Sequence, residues 1–142
     1  MRIQDSFGYI ISINAKLIKR QLEGKIKKYD ITSAQWSVLK LLSVENNLTQ
    51  VEIAYKLKAD IVTIGLIIDR LVKKNMLQKV QDERDRRAYK ISIADHVRDI
   101  VGIIEEEAVK CNEVALDNFT DKEVETLFFL LNKVLHNLSK EN

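Results

Sequence analysis

The sequence predicts a mainly α-helical fold carrying one small β-hairpin wing, and three observations predict it. Apolar residues recur at steps of three, four and seven over most of the chain, the period of helices with one buried stripe. The pattern Thr, two spacers, then Gln or Glu stands at Thr32/Gln35, Thr49/Glu52 and Thr120/Glu123. Each is a capping box, satisfying amides that a first helical turn leaves unpaired. Strict alternation is confined to one short stretch, where Tyr89, Ile91 and Ile93 alternate with Ala88, Lys90 and Ser92, as a half-buried strand requires.

The first helix, residues 5–28, carries Phe7, Ile10, Ile11, Leu17, Ile18, Leu22 and Ile26 on one stripe. Three shorter helices follow over 33–44, 50–58 and 61–74, close enough together to form a trihelical unit. The first two open at capping boxes stapled by Ile31 with Trp36 and Leu48 with Ile53. The third opens at Asp60, an acceptor cap with Thr63 where the box would have an acid. It closes at Asn75, the best substitute for glycine at a left-handed position, with Lys73 and Lys74 near the negative end of the helix dipole. "MLQKV", the charged "DERDRR" and "AYKISI" then make a hairpin. Two long helices, 95–118 and 121–139, end the chain, the second stapled by Phe119 and Val124. Residues 33–93 thus have the plan of a winged helix-turn-helix, which offers one helix to a major groove and a hairpin to the flanking backbone or minor groove.

With 142 residues, 46% of them apolar, the chain is long enough to bury a core as one domain. No apolar run approaches the roughly 18 residues of a membrane span. The N-terminal stretch is interrupted by Gln4, Asp5, Asn14 and Lys16, unlike a secretory signal, so a cytoplasmic location is expected. A lone cysteine, Cys111, fits a reducing compartment, and its helical register makes it a packed thiol of the core or of a subunit interface. The net charge of +2 hides a division: residues 1–94 hold 18 basic and 10 acidic side chains, residues 95–142 hold 5 and 11. A balance of +8 against −6 points the first two-thirds at a polyanion. There is no glycine-rich phosphate loop and no Ser/His/Asp order, and His96 and His136 lack metal-ligand spacing, so neither enzyme, metal nor cofactor is expected.

Candidate binding residues follow from this plan. Arg84, Arg86 and Arg87 at the hairpin tip either pair with Asp82, Glu83 and Asp85 as a solvated turn, or touch an anion. In a winged-helix context the second reading is favoured, with Asp85 or Asp69 orienting a guanidinium toward a narrow minor groove. In helix 61–74, inward Ile64, Ile67, Ile68 and Leu71 leave Val62, Thr63, Leu66, Arg70 and Lys73 outward, with Asp60 at the start. Val62 or Thr63 can meet thymine methyls and favour A·T-rich sites. Alternatively, this helix only positions the protein, and the wing and DNA shape specify. Thr49 and Gln50 open the preceding helix, where first-turn amides can hold a phosphate and Thr49 can serve as a cap. Trp36, Tyr9, Phe7 and Tyr55 are expected in the core, with Tyr9 and Trp36 as the alternative lining of a ligand pocket where helices meet.

"ITSAQWSVLKLL" at 31–42, "LTQVEIAYKL" at 48–57, "IIDRLVKKNML" at 67–77 and above all "DERDRRAYKISI" at 82–93 make the chain similar to the MarR/SlyA family of winged-helix transcription regulators. The resemblance covers nearly the whole chain. It implies double-stranded DNA as partner, bound by residues 31–93, with Asp85 and Arg87 matching the family's wing element. It implies a homodimer joined through helices 5–28 and 95–139. It also implies a small phenolic or other lipophilic anion as effector, held between the dimerising and DNA-binding parts. The chain departs from the family at Asn75, where glycine is usual, at Glu83, where a proline is common, and at Ile93-Ala94, where a Leu-Thr pair is expected. The missing Thr leaves Asp95 to cap the following helix. The expectation is therefore a single MarR-like domain over 1–142, acting as a sequence-specific, homodimeric transcription regulator. Its rival, motivated by the apolar outer face of helix 61–74, is a winged-helix protein-interaction or structural module with little base-specific binding.

Overall fold

The computed structural model describes residues 1–140; of the expected domain span 1–142, residues 141 and 142 lie outside that range. α1 (Phe7–Ile26) starts where the Ser6 hydroxyl accepts from the Tyr9 amide, and single 3-10 turns flank it at Ile3–Asp5 and Lys27–Tyr29. Asp30, with φ 55°, turns the chain toward α2 (Ser33–Val44). Both halves of the Thr32 box are formed: the Gln35 amide donates to Thr32 Oγ1 at 3.1 Å and the Thr32 amide donates to Gln35 Oε1 at 3.2 Å. The Thr49 and Thr120 boxes are likewise complete.

A two-residue strand, β1 (Leu48–Thr49), precedes α3 (Gln50–Lys56), which stops two residues short of the expected 58 because Lys58 is left-handed at φ 52°. α4 (Ile61–Lys73) ends as its sequence predicts. Asn75 sits at φ 60°, its amide donates to Val72 O and the Met76 amide donates to Leu71 O, the paired bonds of a Schellman motif. β2 (Leu77–Gln81) and β3 (Tyr89–Ile93) form the hairpin in the register Leu77 with Ile93 and Gln81 with Tyr89. β1 adds to the outer edge of β3, so the sheet is three-stranded and antiparallel in the order β1-β3-β2.

α5 (Arg98–Ala115) corrects the expected start at 95. The chain enters through a 3-10 turn, Asp95–Val97, and Asp95 caps nothing; its carboxylate lies 3.8 Å from Arg98 Nε. α6 (Asp121–Ser139) matches its expected span.

One core fills the space between α2, α3, α4, the sheet and the near ends of α1 and α5. Ile26, Leu39, Leu42, Ile53, Ile64, Ile68, Leu71, Leu77, Ile91 and Ile104 are its largest fully buried members. Trp36 packs against its edge and donates from Nε1 to Val101 O at 3.4 Å. Phe7, Tyr9 and Tyr55 do not join it: they are exposed, because α1 projects past the core before its first turn and Tyr55 faces outward from α3. Cys111 is buried, as its register implied.

Candidate nucleic-acid interface

α4 carries two chemically different outer surfaces. Near its start Val62 and Leu66 are 66% and 60% exposed, one turn apart on the same stripe. Thr63 beside them is not free: its amide and its hydroxyl both donate to Asp60 Oδ2, at 3.1 and 3.2 Å. Asp60 therefore serves the helix as its cap. Near the other end Arg70 and Lys73 are exposed, about 16 Å along the axis from Val62 for Lys73. Asp69 does not orient a wing arginine. It forms an exposed pair with Lys79 Nζ at 3.0 Å, since β2 passes closer to this turn than the hairpin tip does.

The wing tip is built from backbone bonds that leave its arginines unpaired. Asp82 Oδ1 accepts from the Arg84 amide at 2.9 Å and Asp85 Oδ1 accepts from the Arg87 amide at 3.0 Å. Gln81 Nε2 donates to Arg86 O at 2.7 Å. The carboxylates thus shape the turn through its backbone amides and form no ion pair with the guanidinium groups. Asp85 orients the loop backbone, not a guanidinium. Among the described residues no carboxylate pairs with Arg70, Lys73, Arg84, Arg86 or Arg87.

The arginines do not all face the same way. Arg87 lines a groove of about 460 Å³ with Val51, Ile61 and Tyr89, between the starts of α3 and α4 and the wing. Arg84 lies on a second hollow with Asn47, Val80 and Lys90. Thr49 and Gln50 border the first groove, but both are engaged. Thr49 Oγ1 accepts from the Glu52 amide at 3.2 Å and donates to Glu52 Oε1 at 3.0 Å, which brings a carboxylate to the helix start. Gln50 Nε2 donates to Ile61 O at 3.0 Å. It lies over Gly65, where a Cβ would come within 2.7 Å of that nitrogen. Gly65, unremarked in the sequence, is what lets α3 clamp the start of α4.

The cavity between α1, the start of α2 and the end of α4 lies elsewhere than the expected ligand pocket. Its volume is about 810 Å³ and its lining includes Arg20, Lys27, Gln35, Arg70, Lys73 and Lys74. Neither Tyr9 nor Trp36 lines it: Tyr9 is near the far end of α1, and the Trp36 indole is turned toward α5. Gln35, 5% exposed and the one buried polar side chain among the described residues, accepts from Lys74 Nζ at 3.4 Å. Lys74 also donates to Asp30 O, so the end of α4 is tied to the corner between α1 and α2. Arg20 on α1 and Lys27 at the turn that follows it are the legible signal for this site, because a spacing of seven puts both on one side of a helix.

Among the described residues no group of His, Cys, Asp and Glu could hold a metal ion, and no helix is long and apolar enough to cross a membrane.

Residues 31–89 match the family model described as MarR family. The multiple antibiotic resistance protein MarR of Escherichia coli is 30% identical over 136 residues, covering 90% of this chain and 90% of its own. A solved MarR protein from Peptoclostridium difficile superposes with a TM-score of 0.91 at 26% identity, over 99% of this chain and 94% of that one. A cysteine-to-serine mutant of Escherichia coli MarR complexed with operator DNA superposes with a TM-score of 0.84 at 27% identity, over 90% and 92%.

Proposed function

This chain belongs to the MarR family, and from that membership we propose that it is a cytoplasmic transcription regulator that binds operator DNA sequence-specifically as a homodimer. The observation that carries the reading is the set of five exposed cations without an ion-pair partner, Arg70 and Lys73 on α4 and Arg84, Arg86 and Arg87 on the wing. Each side chain that neutralises a phosphate releases a condensed counterion, so such a surface binds duplexes with steep salt dependence. In this reading α4 enters the major groove and the wing reaches the adjacent minor groove, with Arg86 and Arg87 as its principal contacts and Arg84 on the flanking backbone. Arg70 and Lys73 hold phosphates. Thr49, Gln50 and Asp60 act by fixing α3 and the start of α4, and Asp85 by shaping the wing.

The dimer rests on the terminal helices. α6 buries no residue within the chain and exposes Phe128, Phe129, Leu130, Leu131, Leu135 and Leu138, a patch far more apolar than a solvated helix tolerates. Two-fold symmetry then spaces the half-sites about one helical turn apart and makes the operator pseudo-palindromic. The test is selection of duplexes from random DNA by the purified chain, then titration between about 50 and about 200 mM salt. A regulator retains a common motif and loses affinity steeply over that range. Failure to enrich any sequence leaves the protein-interaction reading in its place.

Effector control has separate support. The α1–α4 cavity is of a size suited to small ligands, and its five cationic side chains against Glu23 and Asp30 favour a lipophilic or phenolic anion. An occupant touches α1 and α4 together, so it can couple dimer geometry to the reading helix. Benzoate is the simplest probe: it should weaken operator binding by roughly fivefold or more, and Arg20→Ala with Lys27→Ala should abolish that sensitivity. An unchanged operator affinity at saturating benzoate, salicylate and related aromatic carboxylates removes the effector reading alone.

A further inference from the structure

Resting on the DNA-binding reading above, we infer that Val62 and Leu66 discriminate bases by packing against thymine C5-methyl groups in the major groove, in place of hydrogen bonds. A major-groove reader distinguishes base pairs by their donor and acceptor pattern or by the methyl that only thymine presents. Thr63 is the one polar side chain in the first two turns of α4. Its hydroxyl donates to Asp60 Oδ2, and α4's own cations, Arg70 and Lys73, sit at the opposite end beside the α1 cavity. What projects from that end is hydrocarbon. Val62 and Leu66 are the most exposed side chains of the stripe, and Ile61 continues it into the groove shared with Arg87.

The occupant of this apolar stripe is fixed by the charges around it. Unpaired cations stand on two sides of it, Arg70 and Lys73 along the helix and Arg87 across the groove that Ile61 lines. That arrangement suits a surface whose rims are phosphate and whose floor offers methyl groups. A protein partner able to cover the same stripe would need two acidic rims at the phosphate spacing.

Substituting deoxyuridine for thymidine tests this directly, because it removes the methyl and leaves base pairing and every hydrogen-bonding edge in place. On a duplex selected by the full chain, each contacted methyl removed should lower affinity roughly fourfold, and one in each half-site roughly fifteenfold. Val62→Ala combined with Leu66→Ala should erase the difference between the thymidine and deoxyuridine duplexes, as a double-mutant cycle requires. Both positions are exposed, and an unchanged thermal midpoint will confirm that the variant is folded. Equal wild-type affinity for both duplexes, with steep salt dependence retained, overturns this inference and leaves the regulator reading standing. A preference for thymidine that survives in the double variant also overturns it, since the methyls would then be sensed elsewhere. Absence of binding to any duplex overturns the regulator reading along with it.

Discussion

Leu39, Leu42, Ile53, Ile64, Ile68 and Leu71 of the winged core are at most 2% exposed, whereas Phe128, Phe129, Leu131, Leu135 and Leu138 of α6 are 41% to 63% exposed. Both sets follow helical periodicity equally well. The contrast teaches that an amphipathic pattern reports that a helix has a face to bury, not that the burying surface belongs to the same chain. The core completes itself from local pieces, while α6 and the outer part of α1 leave apolar faces open, the surface that the proposed dimer would cover.

Breaking the end that is incomplete should have the largest effect. Phe128→Asp with Leu135→Asp would place four charges in the proposed two-fold interface and should raise the dimer dissociation constant by on the order of a thousandfold, read by sedimentation equilibrium. The far-ultraviolet spectrum of the core should persist. Next in size, Leu42→Ala should cost about 3 kcal/mol in denaturant unfolding. Leu138→Ala, measured where the chain is monomeric, should stay within about 0.5 kcal/mol. Equal losses at both positions would erase the distinction between the regions.

The wing sharpens the comparison within the core. Arg86→Ala with Arg87→Ala should leave dimerisation and stability unchanged while making the salt dependence of operator binding shallower by up to about four counterions per dimer. An unaltered slope would show that these unpaired guanidinium groups face solvent in the complex. Smallest of all, Asp69→Asn breaks an exposed pair with Lys79 and should change stability by less than about 1 kcal/mol, with little effect on DNA affinity.

What the sequence disclosed was local chemistry with a short reach. The boxes at Thr32, Thr49 and Thr120 and the left-handed Asn75 all stand where their residue types place them, because each depends on partners within a few positions. β1 is not legible in the sequence, since Leu48–Thr49 is too short for any periodicity and is held by Ile91, some forty residues away. Asp95 looked like a cap until the chain took a 3-10 turn ahead of α5. The same limit explains Asp69 and the Tyr9–Trp36 pair: periodicity assigns a side chain to a face, and only packing decides which element that face meets. Arg20, Lys27 and Gln35 come together at one cavity for that reason, although each was legible alone.

In the proposed complex two chains present their α4 helices and wings to one duplex together. Sedimentation of the full chain with and without a selected duplex, at micromolar protein, tests that most directly. The prediction is a dimer in the absence of DNA and two chains per duplex in its presence. Monomers throughout, or one chain per duplex at saturation, would contradict it.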